Sequence, residues 1–124
     1  MNHIPRVYVE TPYSASNGHT IEENVEYARE CMKDCLLRGE APFLSHLLYT
    51  QYPNKGFVSD DDEKHQIVGR ENAIKAGFSW ASVADKTVVY TDYGISGGMK
   101  LGIDDAVGCG RVVEYRGIRP LMQA

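Results

Sequence analysis

The run Thr87-Val88-Val89-Tyr90 constrains this chain more than any other stretch. Each residue in it is β-branched or aromatic, the types that pack well on a pleated surface. A strand with one wet face alternates apolar and polar residues. This run does not alternate, so it needs cover on both faces, as in a parallel sheet between helices. Asp92 closes the run, and Ser96-Gly97-Gly98 precede a helical pattern beginning near Met99. Glycines there let the backbone turn tightly and come close to a ligand. The helix directs its first amides and the positive end of its dipole back at the turn, a seat for a phosphate or other anion. A nucleotide-like small molecule is the ligand class this suggests.

The rest of the chain alternates around that unit. Arg6 to Glu10 reads as a short strand, stopped at Pro12, with a loop through Tyr13, Ser14 and Gly18. Thr20 and Glu23 have capping-box spacing. Ile21, Val25, Ala28, Met32, Cys35 and Leu36 then recur at helical spacing, and Gly39 ends the helix. Ala41 to Leu48 is a second strand with its exit. Residues 49–62 are a loop long enough for a lid or binding segment. Asp60, Asp61, Asp62 and Glu63 at its end would favour a helix N-terminus, with Ser59 or Asp60 as cap, over a metal. A helix over about 63–83 is expected, with a kink or break near Gly77. A further helix spans 99–107 and ends at Gly108 and Gly110; Arg111 to Arg116 is the last strand.

The order β-α-β-α-β-α-β predicts an α/β fold in one domain over 1–124: a small doubly wound parallel sheet of about four to five strands, helices on both faces and right-handed crossovers. Ligands of such sheets bind at the carboxyl ends of the strands. Here these are Thr11 to Ser14, Ser45 to Tyr49, Asp92 to Gly98, and the Tyr115-Arg116 end of the last strand.

Charge narrows the partners. The formal net charge is −4 with no basic run, which argues against a nucleic-acid polymer, whose phosphates demand clustered Lys and Arg. No apolar run is long enough to span a membrane, and no signal-peptide pattern opens the chain, so a cytoplasmic location is expected. Cys31, Cys35 and Cys109 lack metal spacing and are read as reduced, buried small hydrophobes. The four histidines are scattered. Neither a metal nor a cofactor is assigned.

Among residues at the strand ends, Tyr8, Tyr13, Phe43, His46, Tyr49, Tyr90 and Tyr93 could stack on a base or fill the core; which side of its strand Tyr8 takes is open. His46 is either a satisfied core residue or a ligand contact. Asp92 could hold a ribose hydroxyl, orient a catalytic group, or cap its loop through backbone amides. Ser96, beside two glycines and before a helix, is the best single candidate for a phosphate oxygen.

Several segments together resemble the nucleoside 2-deoxyribosyltransferase-like superfamily, which includes small N-glycosidases of nucleoside 5′-monophosphates. They are VYVETPYS, NVEYARE, APFLSHLLYTQ, ADKTVVYTD, SGGMKLGIDDA and GRVVEYR, and the likeness is greatest to a branch found in bacterial and phage genomes. The resemblance implies a flavodoxin-like fold, nucleoside or nucleotide ligands, no metal, and a homodimer or higher homo-oligomer. It places Ser96, with Gly97, Gly98 and Met99, at a phosphate. It places Tyr8 and Pro12, with Tyr13, along base and sugar, and Asp92 near the sugar. The enzymes of that superfamily carry a nucleophilic glutamate six residues after the serine; this chain has Gly102 there. Three readings follow: a silent binder that senses or sequesters a nucleotide or ADP-ribose-like signal; an N-glycosidase or deoxyribosyltransferase with a relocated carboxylate, Glu10 or Asp92; and a dimeric scaffold with a vestigial pocket.

Overall fold

The computed structural model describes residues 2–51 and 70–119. The strands are β1 (Arg6–Glu10), β2 (Ala41–Phe43), β3 (Lys86–Tyr90) and β4 (Val112–Arg116). The helices are α1 (Ile21–Leu37), α2 (Ser45–Leu48), α3 (Arg70–Ala81) and α4 (Gly97–Gly108), and a single 3₁₀ turn covers Ala15–Asn17. All four strands are parallel, in the order β2-β1-β3-β4. This is the expected α/β architecture, with the unalternating run at its centre: Val88, Val89 and Tyr90 are fully buried.

Period-2 geometry sorts side chains to the two faces. Val7 and Val9 of β1 join Val88 and Tyr90 of β3 in a core with Tyr27, Ala28, Cys31 and Cys35 of α1. The intervening residues face the other way. A Cβ on Gly77 of α3 would lie 2.6 Å from the Tyr8 hydroxyl, and a Cβ on Gly102 of α4 would overlap the Glu10 carboxyl group. So α1 covers one face, and α3 and α4 the other. This settles the side Tyr8 takes.

The local signals of α1 are realised. Thr20 accepts from the Glu23 amide at 3.0 Å while Glu23 accepts from the Thr20 amide at 2.8 Å, and Gly39 adopts φ 79°. Three expectations change. Helix α3 passes through Gly77 unbroken; the glycine is there because Tyr8 and Ser45 leave no room for a side chain. The tight turn after β3 uses Gly94, φ 82°, whereas Gly97 and Gly98 are the first residues of α4. Cys109 is exposed, unlike Cys31 and Cys35. The acidic cluster 60–63 and its proposed cap lie outside the described residues. No described helix is long and apolar enough to cross a membrane.

Two polar assemblies brace the face covered by α1. Arg116 donates to both carboxylate oxygens of Glu40, at 2.7 and 2.5 Å, and its Nε donates to Glu114. The second is a stack: the His19 and Tyr93 rings lie 3.8 Å apart, those of Tyr27 and Tyr93 4.1 Å. The Arg119 guanidinium lies over both tyrosines while donating to Glu30.

Candidate functional site

The chain leaves β1 toward one sheet edge and β3 toward the other, so a crevice opens between their carboxyl ends. A cavity of about 180 Å³ occupies it. β1 and its exit contribute Tyr8, Glu10, Thr11, Tyr13 and Ser14; α2 contributes Ser45 and His46. From α3 come Arg70, Ile74 and Phe78, and from the start of α4 Ser96, Gly98, Met99 and Leu101. A larger depression of about 360 Å³ lies between β2, Trp80 and Val83. It is mostly apolar and offers no constellation of polar groups for chemistry.

The α4 end of the cavity gathers hydrogen-bond donors. The Ser96 hydroxyl accepts from the Met99 amide at 3.3 Å, and the Ser96 amide donates to Met99 Sδ. This fixes the cap and leaves the hydroxyl hydrogen of Ser96 available. The amides of Gly97 and Gly98, at the first two helical positions, donate to no described residue, as helix geometry requires. Arg70 Nη2 stands 3.8 Å from where a Cβ on Gly98 would be, and no described carboxylate pairs with it. A positive dipole end, the Gly98 amide, a hydroxyl and a guanidinium thus meet at this end of the cavity.

The β1 end is different. Glu10 is 9% exposed, and no described residue makes a hydrogen bond to its carboxyl group. Burial pushes its pKa up to about 8; Arg111 works against this and Asp105 with it. Arg111 is itself engaged, donating to Asp105 at 2.7 Å and to Thr87 at 2.9 Å. At neutral pH Glu10 is therefore mostly a neutral acid able to donate as well as accept. Next to it, Thr11 and His46 Nε2 are hydrogen-bond partners at 2.5 Å. Burial lowers His46 to about 4, which keeps the ring neutral. The Tyr8 hydroxyl pairs with Ser45 at 3.0 Å, and burial lifts it to about 12.

A family model described as a domain of unknown function, DUF7768, matches residues 5–116, nearly the whole of this fold. The chain belongs to the DUF7768 family. A search of curated proteins finds no match, so the chemistry of this DUF7768 domain is argued from its own residues. Of the candidates read from sequence, Tyr8, Glu10, Tyr13, His46, Ser96, Gly98 and Met99 line the cavity. Pro12 is buried beside it without lining it, and Gly97 faces open space. Asp92 is turned away: its carboxylate accepts from the Tyr27 hydroxyl at 2.6 Å and from the amides of Ile118 and Arg119, each at 2.9 Å. Arg116, at the end of β4, is committed to Glu40. Sequence reasoning missed Arg70. Its neighbourhood held no motif, and only the packing of α3 beside α4 brings it to this end of the DUF7768 cavity.

Proposed function

We propose that the cavity binds a phosphorylated nucleoside or an ADP-ribose-like relative, its phosphate against the start of α4. The observation that carries this is the convergence of the Ser96 hydroxyl, the Gly98 amide and the Arg70 guanidinium at one end of the cavity. Tyr13 also lines the cavity, its ring edge-on to His46 with 6.3 Å between centroids, and it would offer a face or edge to a base. Neither a metal nor a nucleic-acid polymer has a part in this reading. As a binder without turnover, the protein would sense or sequester a nucleotide signal. The likeness of its segments to nucleoside 2-deoxyribosyltransferase-like proteins supports the same ligand class.

One observation favours a second reading, N-glycosidic cleavage: the buried carboxyl of Glu10, without a hydrogen-bond partner among the described residues, lines the same cavity. In its protonated form it would give its proton to the departing base while water adds to the anomeric carbon and loses a proton to solvent. The test is incubation with nucleoside monophosphates, deoxynucleotides and ADP-ribose, with mass spectrometry of the solution and of material released from the washed, denatured protein. An unchanged compound retained by the protein supports the binder. Free base and sugar phosphate in solution establish cleavage. With neither, the ligand class is wrong.

A further inference from the structure

We infer that Glu10 is the residue by which the cavity recognises the sugar hydroxyls of its phosphorylated ligand, and that Gly102 is the positioning residue that gives it room. The inference rests on the proposed anion seat and adds the second half of the ligand.

Two local rules are broken at one point. A carboxyl group nine-tenths buried without a hydrogen-bond partner among the described residues is costly. A glycine within a helix costs about 1 kcal/mol relative to alanine, and Gly102 has no positive φ to require it. The two explain each other sterically, because a Cβ at 102 would overlap the Glu10 carboxyl. Neither is explained by folding stability, for the fold would gain from an apolar residue at 10 and alanine at 102. Local rules broken together without structural gain are the mark of a site.

The chemistry of the ligand follows from position. Glu10 shares the cavity with Ser96 and Gly98, so a molecule with phosphate on the α4 amides extends its next atoms toward the carboxyl. A carboxyl group offers two oxygens side by side, which suits the hydroxyls of a pentose. Its neutral form at pH 7 does not repel the phosphate. The shared chemistry is a pentose phosphate, free or within a nucleotide.

The experiment is calorimetric titration of the full chain with inorganic phosphate, ribose 5-phosphate and adenosine 5′-monophosphate. Ribose 5-phosphate or the nucleotide should bind at least about tenfold tighter than phosphate, and Glu10→Ala should remove that preference while leaving phosphate binding within about twofold. Which of the two binds tighter names the source of the pentose.

Should the alanine variant fail to fold, Glu10→Gln fills the same space. The preference for ribose 5-phosphate over phosphate should then change more between pH 7 and 9 in the natural protein than in the glutamine variant, where only the probes themselves titrate. The other groups facing Glu10 do not produce that change: Tyr8 and His46 lie near 12 and 4, and Arg111 and Asp105 are paired with each other. An unaltered preference in the alanine variant, or the same pH response in natural and glutamine proteins, overturns the inference and leaves the anion seat standing. Absence of binding by all three probes overturns both.

Discussion

Tyr27 holds Asp92 from two directions, its hydroxyl donating to the carboxylate at 2.6 Å and accepting from the Asp92 amide at 3.0 Å. Burial works against the charge of Asp92. The Tyr27 hydroxyl and the amides of Ile118 and Arg119 outweigh it and hold the carboxyl below its usual range. Asp92 is thus a fastening between α1, the turn after β3 and the chain beyond β4. Asp92→Ala should cost roughly 1–3 kcal/mol by leaving the buried Tyr27 hydroxyl without its acceptor and freeing the amides of Ile118 and Arg119, read as a shift in the urea midpoint. Ligand affinity of the folded fraction should change little. Unchanged stability with lost binding would return Asp92 to the ligand site.

Glu10 should make stability depend on pH in an unusual direction. Its folded pKa, about 8, lies above its ordinary value of 4.5. Between these values the folded state holds the proton and the unfolded state does not, so stability falls as pH rises. The loss through this window reaches about 5 kcal/mol at most. Glu10→Gln should match the natural protein near pH 4 and exceed it above pH 8. His46 acts oppositely: its folded value near 4 costs stability as pH falls from 6.5, and that limb should persist in the glutamine variant. Parallel curves for the two proteins from pH 4 to 9 would refute the assignment.

Gly102 and Glu10 should be energetically coupled. Gly102→Ala should cost roughly 2–3 kcal/mol in the natural chain through overpacking, yet be neutral or favourable by about 1 kcal/mol beside Glu10→Ala, where only helix propensity remains. Denaturant unfolding of the four proteins in the cycle measures this. Additive effects would mean that the carboxyl group yields without resistance.

Arg70 and Ser96 should separate affinity from stability. Arg70→Ala should weaken phosphate-bearing ligands by roughly 10- to 100-fold, the worth of a charge-assisted hydrogen bond, with little effect on melting. Ser96→Ala should weaken them by about tenfold and also destabilise by about 1 kcal/mol through loss of the cap. Titration calorimetry paired with thermal melts reads both quantities. Full affinity in the arginine variant would place the anion elsewhere.

The parts of the fold legible in sequence were those set by neighbours along the chain. The limits of β1, the Thr20–Glu23 box, the left-handed Gly39 and the two-sided burial of β3 all follow from residues within a turn or two of one another. Ser96 was legible for the same reason. What was not legible depends on residues far apart. Gly77 reads as a helix breaker until Tyr8 is seen beneath it. The APFLSHLL segment reads as a strand with its exit, but its apolar run hides that the exit is the short helix α2. Asp92 and Glu10 are both acids at strand ends, and only the facing elements decide between them. Tyr27 and the chain at 118–119 take up the first; a glycine stands opposite the second.

The ring stack of His19, Tyr93 and Tyr27, clamped by Arg119, has a bearing on the far side of the sheet. Tyr93 sits three residues before Ser96 and is bound to α1 and to the chain after β4. The approach to α4 is therefore anchored before any ligand arrives, and Met99, 1% exposed, anchors the first turn from within. A phosphate meeting this helix end finds the amides already aligned. Little ordering entropy is lost at that step, and association there should approach the speed of a rigid docking event, without a slow conformational phase.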